Sequence, residues 1–178
     1  MKKNSKISNL VFASLFSAII SVISQIYIMT PFGIPITLQI FAVSLCGFFL
    51  GAKWGIASVL TYISAGILGL PVFSGFRGGI QHILSPTGGF ITGFIFLVFL
   101  CGIARKNKFI SVISGIWGVL TCHLIGIIQF AFTTNTGFIP SFITASLPFL
   151  IKDILSVVVA FGLSVTLNKH ISLNNKNV

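Results

Sequence analysis

The chain has 178 residues, of which 55% are hydrophobic and only 7% are charged, against about 25% charged residues in an ordinary soluble domain. So few charges cannot cover the surface of a water-soluble fold of this size, and the composition indicates a protein that resides in the lipid bilayer. The basic residues behind the net charge of +10 lie in short clusters between apolar runs. That pattern favours membrane orientation over nucleic-acid binding.

Six apolar segments predict an all-α membrane bundle that forms a single domain over residues 1–178. The first segment has a basic start but no A-x-A-like cleavage site, so we expect an uncleaved helix rather than a signal peptide. The second and third are separated by little more than "GAKWG", which predicts a tight helical hairpin. In chain order the predicted spans are 9–29, 36–52, 54–70, 86–104, 109–132 and 147–168.

The distribution of lysine and arginine predicts the orientation of these spans. With the N-terminus in the cytoplasm, every basic residue except Arg77 and Lys152 falls on the inner side, as the positive-inside rule requires for six spans with both termini cytoplasmic. The outer connections contain the proline and glycine residues that shape turns, and the longest is residues 70–90. We therefore expect a binding site on the outer side.

Several motifs are absent from the sequence, and their absence narrows the function. There is no G-x-x-x-x-G-K-[ST] loop for ATP, no metal-ligand spacing of Cys and His, no evident inverted repeat and no catalytic set. Cys46, Cys101 and Cys122 are expected to be buried free thiols, and His82 and His123 to be satisfied by hydrogen bonds or lipid headgroups. The sequence thus predicts a membrane protein that binds a solute and depends on a partner for energy.

Asp153 is the only acidic residue, and it lies five residues after Pro148, roughly 8 Å along the last helix. Its helical face is small and polar, which predicts that the carboxylate points into the bundle and accepts hydrogen bonds from a ligand. The alternative is a structural pair with Lys152 or a capping role. Adjacent helical residues project about 100° apart, so we expect Lys152 to extend toward the outer interface instead. The residues sharing the face of Asp153 are Ser156, Val157, Ala160 and Ser164.

Three further positions are candidate binding elements. Gln39 brings a polar amide into the second span, where it needs a protein or ligand partner. Arg77, flanked by glycines, either meets an anionic ligand group or is a solvated loop charge. Thr87 and Gly88 open the fourth span, where free backbone N–H groups either hold a carboxylate or form a plain capping turn.

The first span contains small residues at helical spacing. Ala13 and Ser17 are four residues apart, as are Ser14 and Ala18. In lipid, such rows let helices approach closely, so they serve either packing inside the bundle or docking of a partner protein.

Four stretches together resemble the BioY family, the biotin-specific substrate-binding (S) components of energy-coupling factor (ECF) transporters. The resemblance implies a six-helix bundle with cytoplasmic termini, in a bacterial plasma membrane, that captures biotin from outside. It also implies assembly with a transmembrane coupling (T) subunit and two ATPases that use ATP, with no cofactor in this chain. The stretches are "FASLFSAIISVISQI" (12–26), "PITLQIFAVSLCGFFLGAKWG" (35–55), "YISAGILGLPVF" (62–73) and "SPTGGFITGF" (85–94).

The resemblance also implies roles for individual residues. Asp153 matches the family's aspartate in the last helix, whereas Ser156 stands where the family typically has lysine. Asp153 would accept the N–H groups of biotin's ureido ring, and Arg77 or the N–H groups near Thr87 would bind its carboxylate. The expected wall residues are Phe73, Phe76 and Phe90, and the A-x-x-x-A docking motif is carried by Ala13 and Ser17.

Other functions remain open on the sequence. The ligand could be a biotin precursor or another vitamin, and the departure at Ser156 keeps this alternative. A self-sufficient secondary carrier would need several ionisable groups in the membrane, whereas this chain has one aspartate. A membrane enzyme is the most distant alternative, because no catalytic set can be named.

Overall fold

The computed structural model describes residues 2–30, 34–103 and 107–174. Side chains are described for residues 6–30, 34–103 and 107–170. The prediction of orientation used three basic residues that lie outside the described residues: Arg105, Lys106 and Lys176.

The described chain is a bundle of helices with one short β-hairpin. In the hairpin, β1 and β2 pair antiparallel, with Tyr27 opposite Thr37 and Met29 opposite Pro35. The elements in chain order are α1 (Lys2–Ile23), β1 (Tyr27–Met29), β2 (Pro35–Thr37), α2 (Gln39–Leu50), α3 (Ala52–Ile67), α4 (Ile80–Ile83), α5 (Gly88–Ile103), α6 (Lys108–Thr134), α7 (Phe138–Ala145) and α8 (Leu147–Asn174).

Three of the described helices are long and apolar enough to cross a membrane: α1 over Lys6–Ile23, α6 over Lys108–Thr134 and α8 over Leu147–His170. Two more are apolar but shorter, α2 with 12 residues and α5 with 16. A hydrocarbon core about 30 Å thick takes about 20 helical residues, so neither shorter helix alone extends across it. Space is thereby left at one end of the bundle.

The first two predicted spans differ from the structure at their outer ends. Residues 27–29 and 36–37 are β-strand rather than helix. Polar side chains after α1 bond to the distant 71–76 segment: Gln25 Nε2 donates to the Phe73 carbonyl at 3.1 Å, and the Phe76 N–H donates to Gln25 Oε1 at 2.8 Å. Because these tertiary hydrogen bonds replace a further helical turn, the chain leaves α1 and folds back as a hairpin.

The connection between α2 and α3 confirms the predicted tight hairpin. One residue, Gly51, separates Leu50 at the end of α2 from Ala52 at the start of α3. Its φ of 80° is in the left-handed region that glycine adopts at little cost. Both helices therefore pack side by side without an intervening loop.

The core lies where α5 packs against α2 and α6. Glycine makes this packing close: a Cβ at Gly93 of α5 would lie 2.9 Å from the Cα of Cys122 in α6. Small residues allow such approach between apolar helices in lipid. Cys46, Cys101 and Cys122 are fully buried free thiols, as predicted.

Replacement of Gly47 by alanine is expected to lower the free energy of unfolding. The new Cβ would lie 2.7 Å from both the Val98 carbonyl oxygen and the Cys101 Cβ, and such overpacking costs about 1–3 kcal/mol. Gly162 on α8 is the matched control, because nothing lies within 4 Å of a Cβ there. Thermal unfolding in detergent should show a lower Tm for Gly47→Ala and an equal or higher Tm for Gly162→Ala; equal losses would contradict the packing argument.

Candidate functional site

A cavity lies at the end of the bundle where α2, α5 and α8 begin. It contains about 620 Å³ of space free of protein atoms, its open mouth included. Most of the wall is apolar, with polar groups converging on one side. The lining residues come from β2, α2, α4, α5, α6, α7, α8 and the segments just before β2, α4 and α5: Ile34, Pro35, Thr37, Gln39, Ile40, Ser74, His82, Thr87, Phe90, Ile91, Phe94, His123, Ala145, Phe149, Lys152 and Asp153.

The Asp153 carboxylate is the charged centre of the polar side. It is only 3% exposed, and the four other residues of its predicted face are buried with it. One oxygen, Oδ2, accepts a hydrogen bond from His123 Nε2 at 3.1 Å. The other, Oδ1, forms an ion pair with Lys152 Nζ. The carboxylate thus points into the bundle, as the spacing on α8 predicts, and it is held from both sides.

The expected separation of Lys152 from Asp153 is wrong. Lys152 Nζ bonds to the Asp153 carboxylate and also donates to the Thr37 carbonyl of β2 at 2.7 Å. The 100° between adjacent positions fixes only the Cα–Cβ directions, and the four-carbon lysine side chain is long enough to fold back over its neighbour. Lys152 therefore closes the cavity between α8 and the hairpin rather than extending to the interface.

Gln39 belongs to a second polar group beside the carboxylate. Its Nε2 donates to the Tyr62 hydroxyl at 2.8 Å, while its Oε1 accepts from Thr37 Oγ1 at 3.0 Å and from Ser74 Oγ at 3.4 Å. Tyr62 is fully buried. These bonds fix the orientation of the Gln39 amide and leave it one N–H for a further partner.

The structure places four of the nine predicted ligand-binding residues on the cavity wall. Gln39, Thr87, Phe90 and Asp153 line it. The remaining candidates do not occur among the described lining residues: Arg77, Gly88, Phe73, Phe76 and Ser156. The roles of all these residues in ligand binding stay predictions.

The candidates outside the wall have other surroundings. Phe73 is fully buried behind the wall, stacked on His82 at 5.1 Å between ring centroids. Gly88 fits tightly under α4, since a Cβ there would lie 1.8 Å from the Ile83 carbonyl oxygen. Arg77 and Phe76 are exposed on the loop. Ser156 faces a separate shallow groove with Leu38, Phe41 and Leu155.

Sequence reasoning missed Lys152, His123 and His82 as residues of the wall. His123 lies in an apolar run without a nearby polar partner in sequence, so only the packing of α6 against α8 brings it to Asp153. His82 is in α4. Its pKa is lowered below the ordinary 6.5, mainly because the side chain is partly buried and also because the Arg77 charge is nearby. His82 therefore adds no fixed positive charge to the cavity at neutral pH.

The small residues of α1 divide between two faces. Ala13 and Ser17, the predicted docking pair, are 5% and 7% exposed and face the bundle. Ser14 and Ala18, the neighbouring row, are exposed. Ala13 and Ser17 therefore do not form an open face in this structure, because one helical step of 100° separates their row from the exposed one. Their docking role stays a prediction.

The fold is shared with a solved structure. The chain aligns with a structure described as the S-component for biotin from an ECF-type ABC transporter, with a TM-score of 0.87, 27% identity and coverage of 95% of both chains. With its apolar helices and this fold, the protein is a membrane protein of the S-component class.

Sequence similarity shows the family to which the chain belongs. Residues 1–173 match the model of the BioY family. The Probable biotin transporter BioY of Pyrococcus horikoshii is 42% identical over 83% of this chain and 88% of its own length. The Biotin transporter BioY of Thermotoga maritima is 35% identical over 90% of this chain and 95% of its own. The chain therefore belongs to the BioY family, whose members are transporter components and not enzymes.

Replacement of Tyr62 by phenylalanine is expected to destabilise the ligand-free protein. It leaves the buried Gln39 amide without its acceptor, which costs about 1–3 kcal/mol. Tyr27 on the exposed β1 strand is the matched control. Thermal unfolding in detergent should show a lower Tm for Tyr62→Phe than for Tyr27→Phe, and equal values would show that the buried hydroxyl contributes nothing.

Proposed function

We propose that this chain is the biotin-binding S component of an ECF-type transporter, whose partner ATPases supply the energy. The observation that carries the proposal is the buried Asp153 carboxylate on the wall of the cavity, with the Lys152 ammonium beside it. The two relatives described above are named biotin transporters, and the aligned structure is an S-component for biotin. These names support the choice of ligand.

The polar side of the cavity matches the ureido ring of biotin. Each Asp153 oxygen accepts one protein hydrogen bond, and a carboxylate oxygen has room for a second, so the carboxylate can still accept a ureido N–H. Lys152 Nζ uses two of its three donors on Asp153 and Thr37 and keeps one for the ureido carbonyl. An acceptor and a donor thus lie side by side, as do the N–H and C=O of a cyclic urea.

Lys152 takes the role of the lysine that the family typically has at the position of Ser156. Ser156 is uncharged and lines the separate groove, so it supplies no cation to the cavity. Lys152 brings an ammonium to the same carboxylate from the preceding position. Although the sequence departs from the family pattern, the positive charge beside Asp153 is kept and comes from a different residue.

The rest of the ligand is expected to lie against the apolar wall. Phe90, Phe94 and Phe149 present aromatic surface suited to the bicyclic ring and aliphatic chain. Gln39 offers its free N–H. Thr87 lines the opposite side, where the biotin carboxylate would meet polar groups at the start of α5. Phe73 and Gly88 support this wall from behind, and Arg77 attracts the anionic group from the rim.

The proposed membrane arrangement has six spans in one domain with both termini in the cytoplasm of a bacterial cell. Three spans are α1, α6 and α8, and the other three are α2, α3 and α5 together with their adjoining segments. The short helices α2 and α5 begin at the cavity, and the hairpin together with residues 68–87 covers the outer end of the bundle. Lys53 and Lys108 then lie at the inner ends of spans, as the positive-inside rule requires.

The proposed partners are a coupling (T) subunit and two ATPases. The exposed row of Ser14 and Ala18 on α1, bordered by Val11, Leu15 and Val22, is the docking face for the coupling subunit. Small residues there allow a partner helix to approach closely, and exposed apolar residues suit a contact within lipid.

Asp153→Asn is expected to weaken biotin binding. Loss of the charge removes charge-assisted hydrogen bonds of about 1.5–3 kcal/mol, which corresponds to about a 10- to 100-fold higher Kd. Equilibrium binding of labelled biotin to the purified chain in detergent measures this effect. Ser156→Ala is the control and should leave the Kd unchanged. Equal affinity of Asp153→Asn and the parent protein would refute the assigned role, and tighter binding of a precursor or another vitamin in competition would reassign the ligand.

Ala18→Leu is expected to hinder assembly while leaving biotin binding intact, because it adds bulk to the exposed row of α1. Co-purification with the coupling subunit and ATPases measures assembly, and biotin binding by the isolated chain is the internal control. Ala13→Leu, which enlarges the buried row, should instead lower the Tm. Normal co-purification of Ala18→Leu would remove this face from the interface, and ion-driven uptake by vesicles holding only this chain would contradict the need for partners.

A further inference from the structure

His123 is buried near the middle of α6 with both ring nitrogens engaged. It is 3% exposed; Nε2 lies 3.1 Å from Asp153 Oδ2, and Nδ1 lies 2.8 Å from Ser146 Oγ. Phe90 packs edge-on against the ring, with centroids 5.5 Å apart. The ring is therefore held in one plane by contacts with three elements: α5, the α7–α8 junction and α8.

The chemistry of these partners sets the direction of the hydrogen bonds. A carboxylate only accepts, so His123 Nε2–H donates to Asp153. In a neutral ring, Nδ1 then accepts from the Ser146 hydroxyl, which fixes the tautomer. Ser146 is the residue between α7 and α8 and is completely buried, so the ring is anchored to the joint from which α8 starts.

This anchoring determines how Asp153 faces the cavity. Lys152 holds Oδ1 from the hairpin side, and His123 holds Oδ2 from α6. Without the second contact, rotation about the Cβ–Cγ bond could turn either oxygen away from the ligand. A positioned carboxylate binds more tightly than a mobile one, because less conformational entropy is lost on binding.

We propose that His123 is a positioning residue for ligand recognition, which orients the Asp153 carboxylate through its Nε2–H. The proposal rests on the proposed function, in which Asp153 receives the ureido group. The Nε2–H group makes the hydrogen bond that orients Asp153. The Nδ1 contact with Ser146 holds the ring in the orientation that this bond requires.

Two amide substitutions separate these nitrogens. In His123→Gln the side-chain NH₂ can occupy the place of Nε2 and still donate to Asp153. In His123→Asn the amide reaches only the place of Nδ1, so the contact with Ser146 remains possible and the donor to Asp153 is lost. Biotin affinity should stay within about threefold of the parent in His123→Gln and fall about tenfold in His123→Asn, the effect of one hydrogen bond to a charged group.

A double-mutant cycle tests whether the effect passes through Asp153. If His123 acts by orienting that carboxylate, His123→Asn should have little further effect on the biotin Kd in an Asp153→Asn background. Tm values without biotin provide the control for folding. Additive losses in the cycle, or equal losses of affinity in the Gln and Asn variants, would overturn the positioning role.

A measurement without biotin separates this proposal from the proposed function. In protein labelled with ¹⁵N-histidine, Asp153→Asn should shift the Nε2 resonance of His123 and leave those of His82 and His170 in place. An unchanged His123 resonance would overturn the coupling of the two residues. If the parent chain fails to bind biotin but the resonance shifts, the proposed ligand is wrong while the contact between His123 and Asp153 stands.

Discussion

The structure depends on keeping one carboxylate charged and satisfied inside an apolar bundle. An isolated buried carboxylate is costly unless donors surround it. Asp153 obtains its donors from Lys152 beside it and from His123 on α6, while the other end of the His123 ring is fixed by Ser146. Two helices, the hairpin and a helix junction must therefore meet at one point, and the cavity forms beside that point.

The remaining architecture supplies the space around this centre. Gly93 permits close packing of α5 against α6 beside the cavity. Because α2 and α5 are short, space is left between the helices at the end of the bundle where the hairpin and the long loop lie. Gln25 ties that loop to the end of α1, so the cover of the cavity is connected to the first helix.

In the proposed site, Lys152 supplies the positive charge that the family pattern places at the position of Ser156. A lysine side chain reaches far enough that its ammonium can be delivered from more than one backbone position. Here it comes from the residue before Asp153 and is fixed by the Thr37 carbonyl of β2. The hairpin, which no helical pattern indicates, is thus part of the charged side of the cavity.

Composition and periodicity by themselves determined that the protein is a helical membrane bundle with buried cysteines, a tight α2–α3 turn and an inward-facing Asp153. These properties follow from local spacing and from apolar surface that must contact lipid or protein. The tertiary structure alone decided that Lys152 folds back onto Asp153, that His123 meets it from 30 residues away, and that Ala13 faces inward while Ala18 faces out. Such choices depend on how helices rotate and pack against one another, and residues distant in the chain carry no local signal of their partners.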